Sequence, residues 1–121
     1  MASITQKNFN GADQVRELDR TQVEIVDMPA GAVGRYTLQP GWRWSEHVGP
    51  ALQQAECPNA HLGVLLSGAL HVEMASGGGA DFAVGDVYAV PPGHDAWVLG
   101  NDPVVVLEFE SKTAESFAKT G

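Results

Sequence analysis

Three histidines stand where short apolar runs begin or end: His47 in "WSEHVGP", His61 in "PNAHLGVLLSG" and His94 in "PPGHDAW". Three neutral imidazoles brought to one point would hold zinc, iron, nickel or copper and leave positions open for water or a substrate. Spacing alone does not bring them together. Taken singly, His47 and His94 read as surface or capping histidines. His61 enters the run "LGVLLSG", apolar on both faces, so it must be satisfied by a carbonyl, a metal or a wet cavity.

Other reactive side chains are weighed against these. His71 alternates with Leu70, Val72 and Met74, so it is expected to face solvent together with Glu73. Cys57, four residues before His61, reads as a small buried hydrophobe rather than a ligand or nucleophile. Glu46, Asp95 and Glu108 are the candidate bases, or orienting groups for a ligand histidine. Glu108 stands out because it interrupts the apolar strand "VVVLEF", where an inward carboxylate needs a partner. Trp42, Trp44 and Trp97 are expected to pack, although a barrel mouth lined by tryptophan would favour a planar or apolar ligand.

The elements that must position these residues are strands. "QVEIVDM" and "AVGRYTL", bounded by "PAG" and "QPG", predict a hairpin. A strand "WRWSEHV" ending at His47 and a loop "GPALQQAECPN" follow. Then come "AHLGVLLSG", "ALHVEM", "ADFAVG", "VYAVPPG", "AWVLG" and "VVVLEFE", each short and most closed by glycine or proline. This spacing predicts an all-β antiparallel sandwich or barrel rather than βαβ units. Residues 1–20 read as a polar arm or a short helical turn, 21–110 as one domain, and 111–121 as a tail, helical or frayed.

At 121 residues the chain is long enough for one self-sufficient core. Fifteen acidic residues against seven basic ones give a net charge of −8. Such a surface repels phosphate backbones and anionic lipid heads, so neither nucleic acid nor a membrane is an expected partner. No apolar run approaches the roughly 20 residues of a membrane span, and the N-terminus lacks the layout of a signal peptide. The expected location is the cytoplasm, which the single cysteine also favours. Phosphate-cradling, dinucleotide, nucleophile-elbow and paired-cysteine motifs are all missing from the sequence.

Residues 35–110 resemble the cupin superfamily. The first cupin motif runs glycine, five residues, His-x-His, three or four residues, glutamate, six residues, glycine; here Gly41 leads to His47, Gly49 replaces the second histidine, and His61 stands at the glutamate position before Gly68. In the second motif Gly85, Pro91 and Gly93 are in register, Ala96 occupies the histidine position, and His94 comes two residues early. A two-residue offset keeps the same face of an extended segment. The resemblance implies a double-stranded β-helix, or jelly-roll barrel, and commonly a homodimer. It also implies a divalent transition metal, for which His47, His61 and His94 are the expected ligands. The expected function is a metal-dependent enzyme acting on a small organic substrate by lyase, isomerase, cyclase or oxygenase chemistry. The alternative is a non-catalytic small-molecule binder or regulatory module with a degenerate site, favoured by Gly49 and Ala96.

Overall fold

Alternation between β-branched and polar residues, cut by glycine and proline turns, produces nine strands in the computed structural model, which describes residues 3–109. They are β1 (Gln14–Leu18), β2 (Thr21–Met28), β3 (Gly31–Leu38), β4 (His61–Ser67), β5 (Leu70–Met74), β6 (Gly79–Phe82), β7 (Val87–Val90), β8 (His94–Val98) and β9 (Val104–Phe109). One sheet has the order β1-β2-β3-β9-β4-β7 and the other β6-β5-β8. Every pairing is antiparallel. The expected all-β antiparallel barrel is thus the architecture found, with the β2–β3 hairpin at its predicted place.

The core lies between the two sheets. Val23, Ile25, Tyr36, Leu38 and Val106 project from the larger sheet, and Leu70, Val72, Ala96 and Val98 from the smaller. The alternation of β8 puts His94, Ala96 and Val98 on the buried side. His71 lies on the outer face, against Trp97 and 2.5 Å from Asp81.

The run "WRWSEHV" departs from expectation. Arg43 makes one bridge to Trp97, and the chain then coils into α1 (Trp44–His47) and α2 (Gly49–Leu52). The cause is tertiary. The Asp95 carboxylate on β8 accepts the Ser45 N–H at 3.0 Å and the Ser45 hydroxyl at 2.8 Å, satisfying the first turn of α1 from another element.

Within the N-terminal segment, β1 pairs with β2 as an edge strand, and Asp13 accepts the Asp27 N–H at 2.7 Å. The tail expected over 111–121 lies outside the described residues. Among the described residues, no helix is long and apolar enough to cross a membrane.

Candidate metal centre

Three neighbouring strands build one half of the site. Gly63 of β4 is in register with Glu108 of β9 on one side and Tyr88 of β7 on the other. A Cβ at Gly63 would lie 2.7 Å from the Tyr88 hydroxyl and 2.5 Å from the Leu107 carbonyl. The missing side chain therefore lets Tyr88 donate across the strand to Glu108 Oε2 at 2.8 Å. The other carboxylate oxygen, Oε1, lies 2.6 Å from His61 Nδ1. Glu108 is buried, at 5% exposure, and has both the partners that an acid in a strand interior requires.

The second half comes from the turn before β8. Gly93 sits at φ +88°, a conformation that suits glycine, and turns the chain so that His94 enters the barrel. His94 Nδ1–H donates to the Pro91 carbonyl at 2.9 Å, which leaves the lone pair of Nε2 to serve as a metal ligand. The loop before β4 is stitched to this turn by main-chain bonds, Cys57 N–H to the His94 carbonyl and Gly93 N–H to the Cys57 carbonyl, each 2.7 Å. Cys57 Sγ consequently lies 3.4 Å from His61 Nε2, and the His61 and His94 rings meet edge to face at 4.9 Å.

The electrostatics of the three residues are coupled. Burial pushes the Cys57 thiol up, but hydrogen bonds from His61 and His94 and the charge of His61 overcome it and bring the pKa down to about 6. Burial likewise pushes His61 down, while Cys57 and Glu108 overcome that and raise it to about 10. Both shifts favour the charged pair, a thiolate beside an imidazolium, near neutral pH in the metal-free site. Burial, then the charge and hydrogen bond of Glu108, push the Tyr88 hydroxyl well above its ordinary range. Tyr88 stays a donor.

The donor set fits a transition metal. One ligand atom each from Cys57, His61 and His94 lie within 4.8 Å of one another. Metal–sulfur and metal–nitrogen bonds of about 2.3 and 2.0 Å at a tetrahedral angle separate the two atoms by about 3.5 Å, close to the sulfur–nitrogen distance found here. Both imidazoles also carry the outer hydrogen bond that fixes a ligand histidine, His61 to Glu108 and His94 to Pro91.

Of the three histidines expected as ligands, the fold brings two together. His47 is not in the group, because its run coils into α1: Nδ1 accepts the Arg43 N–H at 2.9 Å, and Nε2 faces Asp19 at 3.6 Å. Cys57 stands where His47 was expected. Glu46 is exposed on α1, and Asp95 turns to the outer face toward Ser45 and Arg43, so neither reaches the centre that Glu108 joins. Gly63 and Tyr88 carried no signal of a role. For Cys57 the four-residue spacing to His61 was the available clue.

Beside the three donors lies a cavity of about 50 Å³. Its polar end is His61, His94, Glu108 and Tyr88, and its apolar wall includes Trp42, Trp44, Leu70, Val72 and Val106. Ala96, at the resemblance's second-motif histidine position, also faces this space.

No family model matches the sequence, and no curated protein matches it either. Solved structures do. The formate complex of an oxalate decarboxylase from Lactobacillus farciminis is 19% identical, with 92% of this chain and 34% of that one covered and a TM-score of 0.63. A sugar phosphate isomerase from a cupin superfamily, from Silicibacter pomeroyi, is 16% identical, with 87% and 74% covered and a TM-score of 0.62. A protein of unknown function from Vibrio parahaemolyticus is 15% identical, with 90% and 99% covered and a TM-score of 0.56. The chain spans about a third or less of the oxalate decarboxylases it matches. These likenesses concern the path of the backbone.

Proposed function

For a chain that has the cupin fold, we propose that the barrel holds one divalent transition metal on Cys57, His61 and His94, and that the loaded protein is an enzyme acting on a small organic molecule in the adjoining cavity. One observation carries this reading: donor atoms from the Cys57–His61 segment and from His94, more than thirty residues on, converge, and each imidazole is held by a partner on its far nitrogen. Three protein ligands beside an open cavity make the layout of a catalytic rather than a structural site. A thiolate with two imidazoles suits zinc first, with iron, nickel and copper as competitors. When bound, such a metal supplies Lewis-acid polarisation of a carbonyl or of water.

The chain's own residues hold and shape. Glu108 is committed to His61 and Tyr88, so it is a positioning residue rather than a base. Pro91 fixes the ring of His94, and the apolar wall excludes bulk water. The non-catalytic reading keeps one point in its favour: both oxygens of the carboxylate lining the cavity are already engaged.

Metal analysis of protein purified without a histidine tag tests the centre. Near one equivalent of transition metal is expected, strongly reduced in Cys57→Ser and His94→Ala and retained in His47→Ala. Metal content unaffected by the first two substitutions, with folding preserved by circular dichroism, sinks the site.

The reading includes a homodimer. Val33, Leu62, Leu107 and Phe109 share the outer face of the larger sheet, with Leu62 53% and Phe109 42% exposed. This apolar patch, flanked by Arg35 whose charge is already paired with Glu24, is complementary to a copy of itself, as a two-fold interface requires.

A further inference from the structure

We infer that the cavity receives a small apolar molecule bearing a single carbonyl or carboxylate oxygen, which accepts a hydrogen bond from the indole N–H of Trp44. The inference names the ligand class of the site proposed above, takes its location from that reading, and does not require the metal.

Trp44 lines the cavity and is 3% exposed, yet its Nε1–H has no hydrogen-bond partner among the described residues. A buried donor left unpaired bears its full desolvation penalty, which a ligand acceptor would remove. The ring's orientation agrees. A Cβ at Gly49 would meet Trp44 Cζ3 at 3.0 Å and Cε3 at 3.4 Å, so that edge of the indole faces α2 and the N–H lies on the opposite edge. The other two tryptophans differ. Trp42 donates to Thr21 Oγ1 at 2.8 Å, and Trp97 lies outside, between Arg43 at 4.4 Å and His71 at 4.5 Å.

The remaining lining sets the ligand's charge and size. Among the described residues no lysine or arginine lines the cavity, while Glu108 does. The one cationic ring there, His61, is shared between Cys57 and Glu108, which leaves no charge to balance a phosphate dianion or a dicarboxylate, and burying an unpaired charge is costly. One oxygen function is matched by one free donor. A volume of about 50 Å³ admits roughly three to five water-sized groups, the size of a short branched chain.

Titrations of uniformly 15N-labelled protein, metal-free and zinc-loaded, decide the matter. The indole N–H signals are assigned with Trp44→Phe and followed against isobutyramide and isobutyrate, with malonate and inorganic phosphate as controls. The Trp44 indole proton is expected to move downfield and to saturate with one or both monofunctional probes, identifying the neutral or the anionic function. The Trp97 signal should stay in place, and in the metal-free protein malonate and phosphate should leave Trp44 unmoved. In Trp44→Phe, affinity read from backbone amide shifts should fall by about tenfold, the loss of one hydrogen bond.

No Trp44 response to either monofunctional probe overturns the inference, as does an equal response to malonate or phosphate in the metal-free protein. So does full affinity in Trp44→Phe with the other indole signals at their wild-type positions. If that variant misfolds, the wild-type titration decides alone. Protein that binds no metal but shows the Trp44 shift removes the metal centre and leaves this inference standing; loaded protein without the shift does the reverse.

Discussion

The residue that joins sequence to site most directly is Glu108. Its place in "VVVLEF" demanded a partner if it pointed inward, and the barrel supplies two, His61 and Tyr88. Glu108→Gln keeps the volume and removes the charge behind a ligand imidazole, so metal affinity should fall about 10- to 100-fold. Competition with a chromophoric chelator measures this, and unchanged affinity would contradict the positioning role. A second prediction concerns the metal-free pair. The Cys57 thiol is depressed from 9.0 to about 6, so its contribution to stability is complete above pH 9 and lost as the pH falls through about 6. His61 is raised from 6.5 to about 10, so its contribution is complete below pH 6.5 and lost as the pH rises through about 10. The folded metal-free protein should therefore carry the thiolate–imidazolium pair between those two limits. Ultraviolet thiolate absorbance should rise near pH 6 and return toward the ordinary thiol range in His61→Gln; a rise near pH 9 in the wild type would refute it. His61 and Glu108 were legible because each breaks an apolar pattern. Cys57 was not, because a single cysteine in a polar loop breaks none, and its position is set by main-chain bonds to a distant turn.

Among the elements, strands were legible and short helices were not. Alternation and turn residues located the β2–β3 hairpin and the strands around His61, His71 and Glu108, since those signals are local. The coil at α1 depends on Asp95, fifty positions along from Ser45, and no window around "WRWSEHV" contains it. The same contact redefines Asp95. It joins α1 to β8 through Ser45 and Arg43, away from the metal donors. Asp95→Ala should destabilise the protein by about 1–2 kcal/mol through loss of this cap, the half-exposed Arg43 pair adding little. Denaturant unfolding measures the loss, while the metal content of the folded variant should equal the wild type's. Metal lost together with Asp95 would restore it to the site.

For the whole molecule, the antiparallel barrel followed from many short strands closed by turn residues, and the solved structures share its backbone path. Association is the property to test at this scale. The wild type should sediment as a dimer and Leu62→Asp as a folded monomer, because a charge placed in the apolar patch around Leu62 would be buried unpaired, Arg35 being already paired with Glu24. A wild-type monomer across the micromolar range would remove the homodimer. The Cys57–His94 bridge has a further bearing on how such a barrel diversifies. Both of its 2.7 Å bonds are main-chain, so they survive any exchange of side chain at position 57 that keeps the N–H. A side chain as short as cysteine's, bearing sulfur, hydroxyl or carboxylate, would leave the backbone at the same point beside His61. Donor hardness, and with it metal preference, is thereby open to drift by single substitutions while the architecture is inherited unchanged.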